Sequence, residues 1–316
     1  MWCRRLLLVG VLVGCSGKGT TDSAPSSGGA GSDGADGGDG ADGGAGADGA
    51  DGGDGADGSD GGGGDEPVDA VLGQVCAPEE RVGRVSLVSW GSGHSLDATV
   101  TDIPHPWISA PVATTETCAF HQWEPAECGG CATDELCTAS GCVPAPVADR
   151  STSLVVNAGG GDQSFAADAA TGQLYGTVDV TGSTVSFALD WDDHRVRAEL
   201  PVVLDVPAVQ VTLTGDSMAP GDLAASWTPM AEGTVTTTIP INHHAGGPTF
   251  VACMAPGSAG AFTATAAMVD PLAVVTGLEF QTVSAGSVAA AVLPSGGCVE
   301  FEVVTAIFPD MVFEGE

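Results

Sequence analysis

The apolar positions of this chain fall into three regimes. Leu6 to Val13 forms a short apolar run behind Arg4 and Arg5. From Ser16 to Pro67 no large apolar residue occurs. Beyond that, apolar and polar residues alternate in short stretches, the period-2 pattern of half-buried strands. Val82 to Trp90 alternates in part and predicts a strand, with Gly91-Ser92-Gly93 as a turn and Leu96–Thr101 as the return strand. Pro104, Pro106 and Pro111 then impose loop. After Pro146 the pattern predicts strands over Ser153–Asn157, Leu174–Val180, Thr184–Leu189, Val202–Val206, Val209–Thr214 and Leu223–Trp227. It continues with Thr234–Ile241, Phe250–Met254, Phe262–Ala267, Val274–Val283, Val288–Leu293 and Val299–Phe308. Gly, Pro, Asp and Ser separate these stretches at intervals of about ten residues, which predicts an all-β sandwich or barrel. No 3.6-residue period or helix cap competes. Residues 149–316 are enough chain to bury a core, as one large sandwich or two small ones.

Composition explains the apolar gap. Glycine occupies every third position from Gly31 to Gly64, and nine of the twelve residues that close these triplets are Asp, from Asp33 to Asp60. A collagen-like triple helix is excluded by the lack of proline between Pro25 and Pro67. The Gly-rich calcium repeats of β-helices need an apolar position in each repeat, which these triplets lack. Such a segment buries too little to offset its ordering entropy, so a disordered, self-repelling tether is expected over residues 15–69.

The chain carries 41 acidic residues against 8 Lys and Arg, and no lysine follows Lys18. Phosphate binding needs clustered cations, so nucleic acid is excluded as a partner. The run Leu6–Val13 is too short to cross a bilayer and reads as the core of a signal peptide over residues 1–14. Leu12-Val13-Gly14-Cys15 at its end resembles the lipobox of bacterial lipoproteins. The resemblance implies a diacylglyceryl group on Cys15, which becomes the mature N-terminus. With Ser16 rather than Asp after it, the resemblance points to the outer membrane, facing periplasm or cell surface.

Cleavage removes Cys3, and lipid occupies Cys15. Eight cysteines remain: Cys76, Cys118, Cys128, Cys131, Cys137, Cys142, Cys253 and Cys298. An even count in an exported chain implies disulfides, and sequence leaves the pairing open. The cluster Cys128–Cys142 has spacings that also suit zinc in a reducing compartment, but export favours two bridges. We expect the cluster to close on itself and Cys253–Cys298 to bridge the β section, which leaves Cys76–Cys118 by elimination. The cysteine-rich section spans 70–148.

Asp222-Leu223-Ala224-Ala225-Ser226-Trp227-Thr228-Pro229 resembles the opening strand of fibronectin-type-III and related Ig-like domains. The resemblance implies an Ig-like sandwich with Trp227 packed between its sheets; Ala225 departs from the usual valine. With its lipobox, Gly/Asp linker, four-cysteine cluster and later cysteines, the whole chain resembles a class of lipoproteins from large-genome Gram-negative bacteria. That class implies an architecture and no activity.

Four motifs invite a chemical reading. Gly215-Asp216-Ser217-Met218-Ala219-Pro220 resembles the nucleophile motif of signal peptidases, but no lysine follows to serve as base, and a turn suffices. Gly93-His94-Ser95-Leu96-Asp97 resembles a lipase elbow, yet a strand-like stretch follows where a helix is needed. Asp190, Asp192, Asp193 and His194 read as a solvated turn. His243 and His244, adjacent on an extended chain, point to opposite faces and do not share an ion. The sequence therefore predicts no catalytic residue, cofactor or metal. It predicts a membrane-anchored binding or adhesion-type module for an unknown protein or glycan. The alternatives are an exported hydrolase with a His/Asp site assembled by folding, and a structural envelope lipoprotein.

Overall fold

The structure is a computed structural model, and it describes residues 66–315 apart from Ser92, residues 243–246 and residues 280–281. The expected signal peptide, Cys15, the tether up to residue 65, and the His243-His244 pair lie outside the described residues.

Twenty-one strands occur among the described residues. They begin with β1 (Val68–Asp69), β2 (Val71–Leu72), β3 (Arg81–Ser89), β4 (His94–Val100), β5 (Ala113–Thr114), β6 (Cys118–His121), β7 (Glu135–Thr138) and β8 (Gly141–Pro144). Next come β9 (Ser153–Asn157), β10 (Asp162–Ala166), β11 (Gln173–Val178), β12 (Thr184–Trp191), β13 (His194–Pro201), β14 (Val209–Leu213) and β15 (Leu223–Trp227). The series ends with β16 (Thr234–Pro240), β17 (Phe250–Pro256), β18 (Ala261–Ala264), β19 (Val283–Val292), β20 (Cys298–Ile307) and β21 (Asp310–Phe313). A single turn of helix, α1 (Ala266–Val269), follows β18.

The architecture is two sandwiches that share one sheet. A ten-stranded sheet runs β11-β4-β3-β20-β19-β16-β17-β6-β5, with β2 attached to β19. A five-stranded sheet, β1-β13-β12-β9-β10, closes one core against it, and a four-stranded sheet, β18-β15-β14-β21, closes the other. The long strand β19 serves both. Its Ala289 and Ala291 belong to the first core, and its Val283 and Ala285 to the second. These residues have the same parity, so both smaller sheets lie on one face of the large sheet. Alternation fixes which residues point inward: Val185, Phe187, Leu189 and Trp191 of β12 are buried, as are Val209, Val211 and Leu213 of β14. Trp227 is buried in the second core, its ring 5.7 Å from Phe262 and its Nε1–H donating to Gly257 O at 2.8 Å. The sandwich class and the packed tryptophan are as expected.

Several expectations are corrected. Val202–Val206 is no strand. It carries the chain from β13 to β14, with Val202 packed against the first core and Val203 and Val206 against the second. Pro201 and Pro207 at its ends remove the ladder donors a strand needs. Val274–Val283 is mostly loop: Gly277 takes φ +92°, and the Leu278 N–H donates to Ser217 O at 2.9 Å. The strand begins only at Val283. Strands β10 and β13 escaped the pattern because their polar residues hide the alternation. Strands from both sides of the 148/149 boundary share the large sheet, since β3 pairs with β20, β4 with β11, and β6 with β17.

All eight cysteines expected in bridges are bonded, as Cys76–Cys298, Cys118–Cys253, Cys128–Cys137 and Cys131–Cys142. The four-cysteine cluster closes on itself as expected. Cys253–Cys298 and Cys76–Cys118 are overturned by register: β6 and β17 pair so that Cys118 stands directly opposite Cys253, with Cα atoms 4.1 Å apart.

Candidate functional site

A recess lies where β6, β17 and β16 run out. Its cavity of about 210 Å³ is lined by Phe120, Gln122, Trp123, Pro125, Ile241, Thr249 and Pro271. Strand β6 ends at His121, paired with Phe250 of β17. Gln122 and Trp123 then leave the sheet ahead of Pro125. Phe120 is buried beneath them, and Gln122 and Pro125 are exposed. Pro271 arrives from the turn after α1.

Trp123 is half-buried and held on three sides. Its backbone N–H donates to Thr249 Oγ1 at 3.0 Å, and Thr249 is buried. Gly247, at φ +76°, lies flat against the indole; a Cβ there would sit 2.0 Å from Trp123 Cε3. The third support is Trp107, whose ring centroid lies 5.8 Å from that of Trp123. His105 follows at 5.4 Å from Trp107, giving a row of three rings. The Trp107 backbone N–H donates to His105 Nδ1 at 3.3 Å, and burial lowers the pKa of His105.

The disulfide hairpin anchors this row. Trp107 Nε1–H donates to Cys137 O at 2.9 Å. Cys137 lies on β7, paired with β8 and tied by Cys128–Cys137 and Cys131–Cys142. On β6, His121 is buried, with Nδ1 2.8 Å from Ser109 O and its ring stacked on Phe250 at 4.7 Å. Two contacts thus fix the proline-rich loop after β4. A ring held by surrounding groups loses little freedom on binding, which is the physical content of a preorganised site.

A second polar feature crosses the large sheet. Glu302 on β20 pairs with Arg84 at 2.8 Å and accepts a hydrogen bond from Ser86, both on β3. Glu300 pairs with Arg81 at 3.2 Å and accepts the Cys76 N–H at 3.0 Å. Burial alone would raise the Glu302 carboxyl; the charge of Arg84 and hydrogen bonds from Ser86 and Arg84 outweigh it and hold the pKa below its ordinary value. The Coulombic partner Glu302 in turn raises Arg84. The two carboxylates are thus held by arginines and backbone or hydroxyl donors, while the buried Nε of Arg84 has no hydrogen-bond partner among the described residues.

The sequence motifs resolve as local structure. Ser217 sits in the β14–β15 connection, where Asp216 Oδ1 accepts the N–H groups of Met218 and Ala219 at 2.8 and 2.9 Å. Ser95 lies within β4; its Oγ donates to Val88 O at 3.3 Å and accepts Trp90 Nε1–H at 3.1 Å. Asp192 and Asp193 form the two-residue turn of the β12–β13 hairpin, with Asp192 at φ 44°, while Asp190 faces Arg195 at 3.4 Å. Among the described residues, the groups whose potential ligand atoms converge on a metal are Cys128-Cys131-Cys137 and Cys131-Glu135-Cys142, whose cysteines are bonded in bridges. None of the groove residues was singled out by sequence. The available signal was two tryptophans, Trp107 and Trp123, beside prolines in segments that lack strand alternation.

Fold and site together define a disulfide-bonded β-sandwich protein with an open, uncharged, aromatic groove. No family model matches the chain, and no curated protein matches it. Among solved structures it is similar to a tetra-tandem repeat in the extending region of a large adhesion protein, at 16% identity over 77% of this chain and 49% of that one, with a TM-score of 0.16. It is also similar to the FN1–FN3 domains of chicken CNTN1, at 9% identity over 67% of this chain and 75% of that one, with a TM-score of 0.17. The chain spans about half the length of the adhesion-protein structure. Neither TM-score is high enough to support a functional argument.

Proposed function

We propose that this protein is an exported, lipid-anchored binding module that engages its partner through the groove at Trp123. It does so without catalysis. The observation that carries this reading is a tryptophan clamped by Thr249, Gly247 and Trp107 yet left partly open to solvent. A tryptophan serving only the core is enclosed like Trp227, which is 7% exposed. Loops held on a rigid β scaffold are where binding residues concentrate. In this reading the lipid on Cys15 holds the chain to the outer membrane, and residues 16–65 give it reach. The proposed partner is a protein or glycan, and nucleic acid is disfavoured by the acidic surface.

The test uses the full chain as wild type, Trp123→Ala and Cys15→Ser. Labelled protein is applied to arrays of immobilised peptides and glycans, and cells expressing each form are fractionated. Wild type should bind a subset of array features, and Trp123→Ala should lose them while keeping its melting profile. Cys15→Ser should lose lipid labelling and leave the membrane fraction. Array binding unchanged in Trp123→Ala, or absent from wild type, would overturn the groove reading. Normal membrane partition of Cys15→Ser would overturn the anchor.

A further inference from the structure

We infer that the groove at Trp123 receives a single cationic side chain, an arginine presented by a protein partner. This rests on the groove being the binding site. The first argument is size. A cavity of about 210 Å³ lies below the roughly 300–1,000 Å³ typical of pockets that enclose a drug-sized ligand, and suits one side-chain-sized group. The second is chemistry. Among the described residues none of those lining the groove is charged, and two of them, Phe120 and Trp123, are aromatic. The face of an aromatic ring attracts a cation, indole most strongly, and a planar guanidinium also stacks on it. Exposed Gln122 adds an amide oxygen as an acceptor.

The third argument is charge. Residues 66–315 hold 29 Asp and Glu against five Arg. Three of those arginines, Arg81, Arg84 and Arg195, are already paired with Glu300, Glu302 and Asp190. No arginine lines the groove. Exposed Glu124 sits between the lining residues Trp123 and Pro125, and exposed Asp270 precedes Pro271. Such a field repels anionic ligands and concentrates cations at the surface. A neutral sugar would gain from the indole face but nothing from the charge.

The indole N–H resonances of the full chain report on the site, with the Trp123 signal assigned by its loss in Trp123→Phe. The probes are Nα-acetyl-arginine amide, tetramethylammonium chloride and glucose. The expected result is a saturable shift of the Trp123 resonance with both cations and none with glucose. Added sodium chloride should weaken it, because exposed charges are screened. Glu124→Gln should weaken cation binding by about threefold or more, as the loss of one nearby exposed charge implies. Trp123→Phe should retain part of it, as read from shifted backbone amides of Gln122 and Thr249. A response to glucose and not to the cations would overturn the inference and leave the groove standing as a saccharide site. Silence with every probe would overturn the inference, and the array binding of wild type against Trp123→Ala would then decide the groove reading by itself. Cation binding undiminished in Glu124→Gln and insensitive to salt would overturn the electrostatic argument.

Discussion

Glu302 and Arg84 show how much one pair of side chains contributes on an otherwise ordinary strand face. The Glu302 side chain is 7% exposed and that of Arg84 is 41% exposed. The pair therefore falls between an exposed ion pair, worth about 0–1 kcal/mol, and a buried one, whose breakage costs about 3–5 kcal/mol. The folded-state pKa of Glu302 is depressed, so its stabilisation is present above the unfolded carboxylate value of about 4.3 and fades as pH falls through the lower folded value. Asp97 acts in the opposite direction, because burial raises its carboxyl and protonation relieves that. Urea melts between pH 7 and pH 2 should show wild type losing stability in the acid limb and Glu302→Gln starting lower with a flatter profile. An equally steep acid limb in Glu302→Gln would assign the loss to other carboxylates. At this scale the sequence was informative about burial and silent about partnership. Trp227 was placed in the core by the resemblance of its strand to the opening strand of fibronectin-type-III and Ig-like domains. Trp123 did not, because its supports, Thr249, Gly247 and Trp107, come from distant segments.

Strands and turns were the most legible elements. The hairpin of β3 and β4, strand β9 and strand β15 follow from local alternation and turn residues alone. The parallel pairings of β20 with β3 and of β14 with β21 were not legible, since nothing local records a partner two hundred or one hundred residues away. The cysteines failed for the same reason. Membership of the β section joined Cys253 to Cys298 and left Cys76–Cys118 by elimination, whereas register joined Cys253 to Cys118. Replacing Cys118 and Cys253 together by alanine should destabilise the fold by about 2–5 kcal/mol, since that bridge closes a long loop. Breaking Cys128–Cys137 and Cys131–Cys142 should cost less globally, because their loops are short, but should release Trp107 from Cys137 O. Chemical denaturation checks the first, and the Trp107 indole resonance checks the second. A larger global loss from the hairpin pair than from Cys118/Cys253 would contradict this ranking.

Across the whole molecule, Cys76 and Cys298 are bonded over a sequence separation of 222 residues. The bond joins the chain just past β2 to the start of β20, a central strand of the large sheet, and so encloses nearly the whole domain in one covalent ring. Consider the ends being pulled apart, as happens to a tethered protein whose partner is dragged by flow. The load travels from Cys76 to Cys298 directly and bypasses every strand between them. Only the chain outside the ring can then pay out: β1 and β2 on one side, and on the other β21 and, once it is torn from its neighbours β3 and β19, the central strand β20. Drawn from both ends in a single-molecule trace, the oxidised protein should lengthen only by those flanks. With reductant it should gain about 750 Å more, at roughly 3.4 Å for each freed residue. Full extension without reductant would mean that the ring is not closed. The groove at Trp123 lies between the two cysteines in sequence, so the load does not run along its own backbone while the bond is intact.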